Sequence, residues 1–134
     1  MKVLLKIALT IALVNFVPAI AQTPKTDVAS PALQKEFGAF IGRFRAALKA
    51  NDASAVAGMT KFPFGNDADA AQFRVKTYPG IFNAKNRACI QRGKGIYSRD
   101  GLNNDNYFIF CGNNIFVFTK TPAGFLFTEV GEND

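Results

Sequence analysis

Apolar side chains recur at every second position from Tyr107 almost to the end of the chain, and a period of two confines this stretch to β-structure. Tyr107 to Cys111, Ile115 to Lys120 and Phe125 to Val130 read as three strands. Gly112-Asn113-Asn114 and Thr121-Pro122-Ala123-Gly124 supply the turn chemistry between them. Each strand carries two phenylalanines on one face: Phe108 with Phe110, Phe116 with Phe118, and Phe125 with Phe127. Turns of three and four residues place all six rings on the same side of an antiparallel sheet, and that side needs a cover.

The cover lies upstream. Leu33, Phe37, Phe40, Ile41, Phe44 and Leu48 fall within a stripe about 100° wide on a helix, with Lys35, Gly38, Gly42, Arg45 and Lys49 outside it. The pattern predicts an amphipathic helix of about five turns. Ser30 offers a capping hydroxyl, and Pro31 stands at the first helical position, where its missing N–H costs nothing. Asn51-Asp52 stops this helix and caps a short second one, Ala53 to Gly58. Pro63 forces Phe62-Pro63-Phe64-Gly65 into an extended turn. Asp67 or Asp69 caps a third helix carrying Ala70, Phe73 and Thr77, which Pro79-Gly80 ends or kinks; Ile81 to Gln91 stays open between helix and strand. The expected fold class is α+β, with N-terminal helices packed on a curved antiparallel sheet.

This order of elements resembles the nuclear-transport-factor-2-like, or cystatin-like, superfamily. The likeness is carried by Phe40-Ile41-x-x-Phe44-x-x-Ala47-Leu48-x-x-Asn51-Asp52 and the short helix behind it. Phe62-Pro63-Phe64 and Gly124-Phe125-x-Phe127 are similar to small exported bacterial members. The resemblance implies a cone-shaped fold with a pocket between helices and concave sheet, lined by Phe44, Phe62, Phe64, Phe110 and Phe118. Superfamily activities run from isomerases and dehydratases to binding modules, so the fold by itself implies no single function.

Lys2 and Lys6 open the chain with positive charge, an apolar stretch follows to Val14, and Pro18 precedes Ala19-Ile20-Ala21. That is the pattern of a cleaved secretory signal peptide over residues 1–21, with an apolar core too short for the roughly 20 residues of a membrane span. Gln22 to Ser30, bracketed by Pro24 and Pro31, reads as a short disordered arm, and residues 31–134 as one domain. Export lets Cys89 and Cys111 bridge, closing a loop worth on the order of 3–4 kcal/mol; two separate buried thiols are the alternative. The expected location is periplasmic or secreted.

The chain has no histidine, which removes Ser-His and Cys-His nucleophile pairs, histidine metal sites and histidine general bases. Arg92-Gly93-Lys94-Gly95 lacks phosphate-loop spacing and reads as a turn. Asp100 to Asn106 fails the calcium-loop pattern, with Leu102, Asp105 and Cys111 where ligand, glycine and terminal acid belong. Neither a metal site, nor a catalytic residue, nor a cofactor is assigned. Carboxylates and tyrosines remain as acid-base candidates, and a carboxylate facing a tyrosine is the feature that would favour an enzyme.

The net charge is +6, and Ala70 to Ser98 carries Arg74, Lys76, Lys85, Arg87, Arg92 and Lys94 without an acid; Arg99 follows. Such a run is either an ordinary solvated surface or a positive field for an anionic envelope component. Export argues against nucleic acid as the partner. The sequence therefore predicts a non-catalytic binding domain, using an apolar pocket for a small apolar ligand or the basic surface for an anionic partner. A small acid-base isomerase or dehydratase is the alternative, and a homodimer stays open.

Overall fold

Ser30 accepts a hydrogen bond from the Leu33 N–H at 3.2 Å and so starts α1 (Pro31–Lys49) where the proline predicts. The structure, a computed structural model, describes residues 28–133; the predicted signal peptide and most of the predicted arm lie outside them. Ala29, near the end of that arm, is buried, and its carbonyl accepts from Gln34 Nε2. Asn51 takes a φ of 51°, breaking α1, and Asp52 caps α2 (Ala53–Gly58) by accepting from the Ala55 N–H. Asp69, not Asp67, caps α3 (Ala70–Gln72), which widens into a π-helical segment (Phe73–Thr77) and then α4 (Tyr78–Ile81). Asp67 is buried and receives the Thr77 hydroxyl. Asn83 caps α5 (Ala84–Arg92), which settles the stretch left open by periodicity as helix.

Helices are followed by a four-stranded antiparallel sheet in the order β1 (Ile96–Arg99), β2 (Asp105–Cys111), β3 (Asn114–Thr121) and β4 (Gly124–Glu132). β1 is additional to the three predicted strands. The sheet is not strongly curled, against the expectation of a curved one.

One register differs from the prediction. Cys111 pairs with Asn114, so the first turn has two residues, and Gly112 adopts a φ of 61° at its first central position. Phe116 then faces Ile109 and Phe118 faces Tyr107, whereas Phe108 and Phe110 point to the opposite side. A one-residue slip flips a whole strand. The second turn is two residues instead of four, an even change that keeps Phe125 and Phe127 on the face of Phe118.

The core lies between α1 and the inner sheet face. Phe44, Phe116, Phe118 and Phe127 are fully buried, and Phe44 meets Phe118 at 5.0 Å and Phe127 at 5.7 Å between ring centres. Cys89 of α5 is bonded to Cys111 of β2, tying the helical layer to the sheet. A disulfide is compatible with an exported protein. Among the described residues, no helix is long and apolar enough to cross a membrane.

Candidate functional site: a basic groove between α1, α5 and β1

Where α5 hands over to β1, the chain passes close under α1. A side chain on Gly93 would place its Cβ 2.4 Å from Ile109 Cγ2, and one on Gly95 would stand 2.8 Å from Phe37 Cε1. Residues 93–95 therefore lie flat on the inner layer only because both flanking positions are glycine. Arg45 of α1 fixes the same passage. Its Nε donates to the Ile90 carbonyl at 2.9 Å and its Nη2 to the Gly93 carbonyl at 2.6 Å, while Gln91 Nε2 donates back to the Arg45 carbonyl at 2.7 Å. A guanidinium on the last carbonyls of α5 satisfies groups the helix leaves open and opposes the negative end of its dipole.

This junction leaves a groove of about 680 Å³ on the surface. Phe37, Ile41 and Tyr107 form its apolar floor, with the Phe37 and Tyr107 rings stacked 3.8 Å apart. Among the described residues, Arg45, Arg92 and Lys94 are its charged lining, with no carboxylate beside them. Gly38 of α1 borders it, and a Cβ there would meet nothing within 4 Å. Burial pushes the Tyr107 phenol above its ordinary pKa, helped by the nearby Asp105 charge, so it stays protonated at neutral pH. Tyr97, also in the lining, donates its hydroxyl to Asp105 Oδ1 at 2.5 Å, and Asp105 lies 3.9 Å from Arg99.

Of the residues predicted for a pocket, Phe44 and Phe118 meet in the core and the other three lie apart from them. Phe44 and Phe118 are fully packed core rings, and Phe64 is buried against Phe73 and Phe127. Phe62 is half-buried beside Phe73, and Phe110 is 46% exposed on the other side of the sheet. The cations also divide. Arg92 and Lys94 reach the groove, while Arg74 donates to Ser54 Oγ and half-buried Arg87 to the Phe82 carbonyl. Lys76 and Lys85 are exposed, and Arg99 sits against Asp105.

Asp100 behaves as a turn former, accepting from the N–H groups of Leu102 and Asn104, each at 2.9 Å, and from the Asn104 and Asn106 amides. The Asn104 backbone and side-chain hydrogen bonds hold its carboxyl below the usual range. Among the described residues, no cluster of three or more potential metal ligands occurs.

Sequence reasoning assigned Arg45 and Gly38 to the polar side of α1 and gave neither a role. The available signal was the pair Gly93 and Gly95 flanking one lysine, which marks a close backbone approach. The chain matches no known protein family, no curated protein and no solved structure.

Proposed function

We propose that this chain is an exported, periplasmic or secreted, non-catalytic binding domain of the nuclear-transport-factor-2-like, or cystatin-like, kind, and that its groove takes a small anionic ligand with a flat apolar body. The layering of α1 over an antiparallel sheet, with α2 behind, supports the superfamily reading. The observation that carries the function is the groove lining: among the described residues, three cations, no carboxylate, and an aromatic floor. Arg45 is committed to backbone carbonyls, which leaves Arg92 and Lys94 to meet the anion and the Phe37 and Tyr107 rings to take the apolar part.

Anilinonaphthalene sulfonate, an aromatic anion, tests this by fluorescence titration against its neutral parent anilinonaphthalene. The sulfonate should bind more tightly. Arg92→Gln with Lys94→Gln should lower its affinity at least tenfold, since even one hydrogen bond to a charged group is worth about 1.5–3 kcal/mol and tenfold is about 1.4 kcal/mol. Equal affinity for charged and neutral probes would sink the proposal. Anionic phospholipid vesicles form the second arm: capture of vesicles without uptake of the free sulfonate would point to a lipid headgroup as the source of the anion.

The Tyr97–Asp105 hydrogen bond is the one observation that favours the alternative, an acid-base isomerase or dehydratase. Asp105 is shared with Arg99 and lies outside the groove lining, so the binding reading is preferred.

A further inference from the structure

The outer face of the sheet carries the side chains that the register turns away from the helices, and its two ends differ. Toward the β2–β3 turn, Phe108, Phe110, Ile115 and Val117 line an apolar trough of about 440 Å³, with Ile96 51% and Phe110 46% exposed. Toward the other end, a crevice of about 410 Å³ holds Lys61, Asp100, Asn106, Thr119, Thr128 and Glu129. Phe108, Val117 and Glu129 belong to both, so the two form one continuous depression. A solvated sheet face is ordinarily polar throughout, whereas an apolar wall joined to a few placed polar groups is the make-up of a small-molecule site.

Two local devices build the polar end. Val117 pairs with Glu129 but Phe118 with Phe127, so Thr128 is the extra residue of a β-bulge, and the neighbours Thr128 and Glu129 both line the crevice. Beside β4, Thr60 pairs with Phe127 and is buried, which sends the next side chain, Lys61, to the outer face; its N–H donates to the Phe127 carbonyl at 2.9 Å. Asn106, only 6% exposed, fixes the floor. Its Nδ2 donates to Asp100 Oδ2 at 3.2 Å and its Oδ1 accepts from Thr119 Oγ1 at 2.7 Å, with Thr128 Oγ1 2.9 Å from that hydroxyl. Asp100 is occupied as well, Oδ1 by the N–H groups of Leu102 and Asn104 and Oδ2 by the Asn104 and Asn106 amides. Lys61 and Glu129 are left. Both are exposed, they are of opposite charge, and neither enters an ion pair among the described residues.

We propose that this depression is a second binding site and that it takes a free apolar α-amino acid: Glu129 receives the ammonium, Lys61 the carboxylate, and the side chain lies in the trough over Phe108 and Phe110. The site shares no lining residue with the basic groove. Three features select the ligand. Free heads of opposite charge in one crevice call for a zwitterion, since a simple anion or cation is repelled by one of them. Lys61 and Glu129 stand on adjacent chain segments, so the ligand's two charges must be close together. An α-amino acid carries both on one carbon, whereas an extended peptide parts its termini by about 3.3–3.6 Å per residue. The trough supplies the third feature, because an apolar side chain laid on it removes the Phe110 ring from water. An exposed contact between Lys61 and Glu129 alone is worth little, so it does not compete with a ligand that meets both in charge-assisted hydrogen bonds.

Titration calorimetry of the purified protein with L-leucine provides the test. The controls are N-acetyl-leucine, which lacks the ammonium, leucinamide, which lacks the carboxylate, and glycine, which lacks the side chain. Leucine should bind, and each control should bind roughly tenfold more weakly or worse. Glu129→Gln should weaken leucine about tenfold and leave N-acetyl-leucine unchanged, while Lys61→Gln should weaken leucine likewise and leave leucinamide unchanged. Both substitutions are at exposed positions, so the fold is retained. Arg92→Gln with Lys94→Gln should not alter leucine binding, which keeps failure here distinct from failure of the groove reading. No uptake of leucine at millimolar concentration overturns the proposal, as do controls that bind as well as leucine. Loss of leucine binding in the Arg92→Gln, Lys94→Gln protein overturns it in favour of the groove, and uptake of peptides without free leucine overturns it in favour of a peptide.

Discussion

Gly38 and Gly42 stand one turn apart on the exposed side of α1, and only Gly38 borders the groove. Neither has a positive φ, and a Cβ at either position would meet nothing within 4 Å. Mid-helix glycine costs about 0.8–1 kcal/mol relative to alanine, and here no steric term offsets the gain. Gly38→Ala and Gly42→Ala should each stabilise the protein by roughly that amount, which in a domain of this size raises the melting temperature by about 4–8 °C. Leucine has nearly the helix propensity of alanine, so the leucine variants should be stabilised too. Their effect on binding should split. Gly38→Leu puts a side chain into the groove and should reduce the affinity for anilinonaphthalene sulfonate at least tenfold (roughly 1.4 kcal/mol), whereas Gly42→Leu should leave it unchanged. Thermal melts followed by circular dichroism and fluorescence titrations on the four variants decide the matter. If the two leucine variants bind alike, the groove is not the site. If Gly38→Ala lowers the melting temperature, the helix carries a constraint at Gly38 that its geometry does not show.

Loss of the Cys89–Cys111 bridge by Cys111→Ser should cost about 3–4 kcal/mol for a loop of this length, read from denaturant unfolding, and intact protein should weigh two hydrogens less than its reduced form. Phe44→Ala should cost about 3–5 kcal/mol, because a fully buried ring leaves a cavity among Phe40, Phe82, Phe118 and Phe127. Phe64→Ala should approach that loss and Phe62→Ala should fall well short of it; equal costs at all three would contradict the packing. Burial raises the pKa of the phenols of Tyr78 and Tyr107, so folding favours their protonated forms. Stability should accordingly hold up to the ordinary tyrosine value near pH 10 and fall above it, and Tyr78→Phe should shrink that alkaline loss.

Helical segments were legible because their signals are local. Ser30-Pro31 and Asn51-Asp52 fix both ends of α1 with chemistry confined to a few residues, and the stripe from Phe37 to Leu48 needs only its own period. β1 was not legible: Ile96-Tyr97-Ser98-Arg99 is four residues long and has too little alternation to stand out beside the Asp/Asn-rich turn that follows. The groove was hidden for a different reason. Arg45 acts on carbonyls 45 and 48 residues away in sequence, and Gly38 matters only because α5 and β1 come to lie beside it. The predicted pocket chose the largest rings, and these are the residues a core consumes first.

The face of β2 was misjudged for want of one coupling between two features that the sequence does contain. Cys89 belongs to a helix packed on the inner side of the sheet, so Cys111 can reach it only by pointing inward. Alternation then turns Ile109 and Tyr107 inward with Cys111 and sends Phe108 and Phe110 out, whatever the turn length. A bridge between these cysteines and a single face of six phenylalanines exclude each other. Burying a phenylalanine is worth about 1.5–3 kcal/mol, so leaving Phe110 half in water forgoes much of that within one copy. That stabilisation returns only where something covers the ring. The disulfide that ties α5 to the sheet thereby also determines which side of β2 carries its exposed phenylalanine.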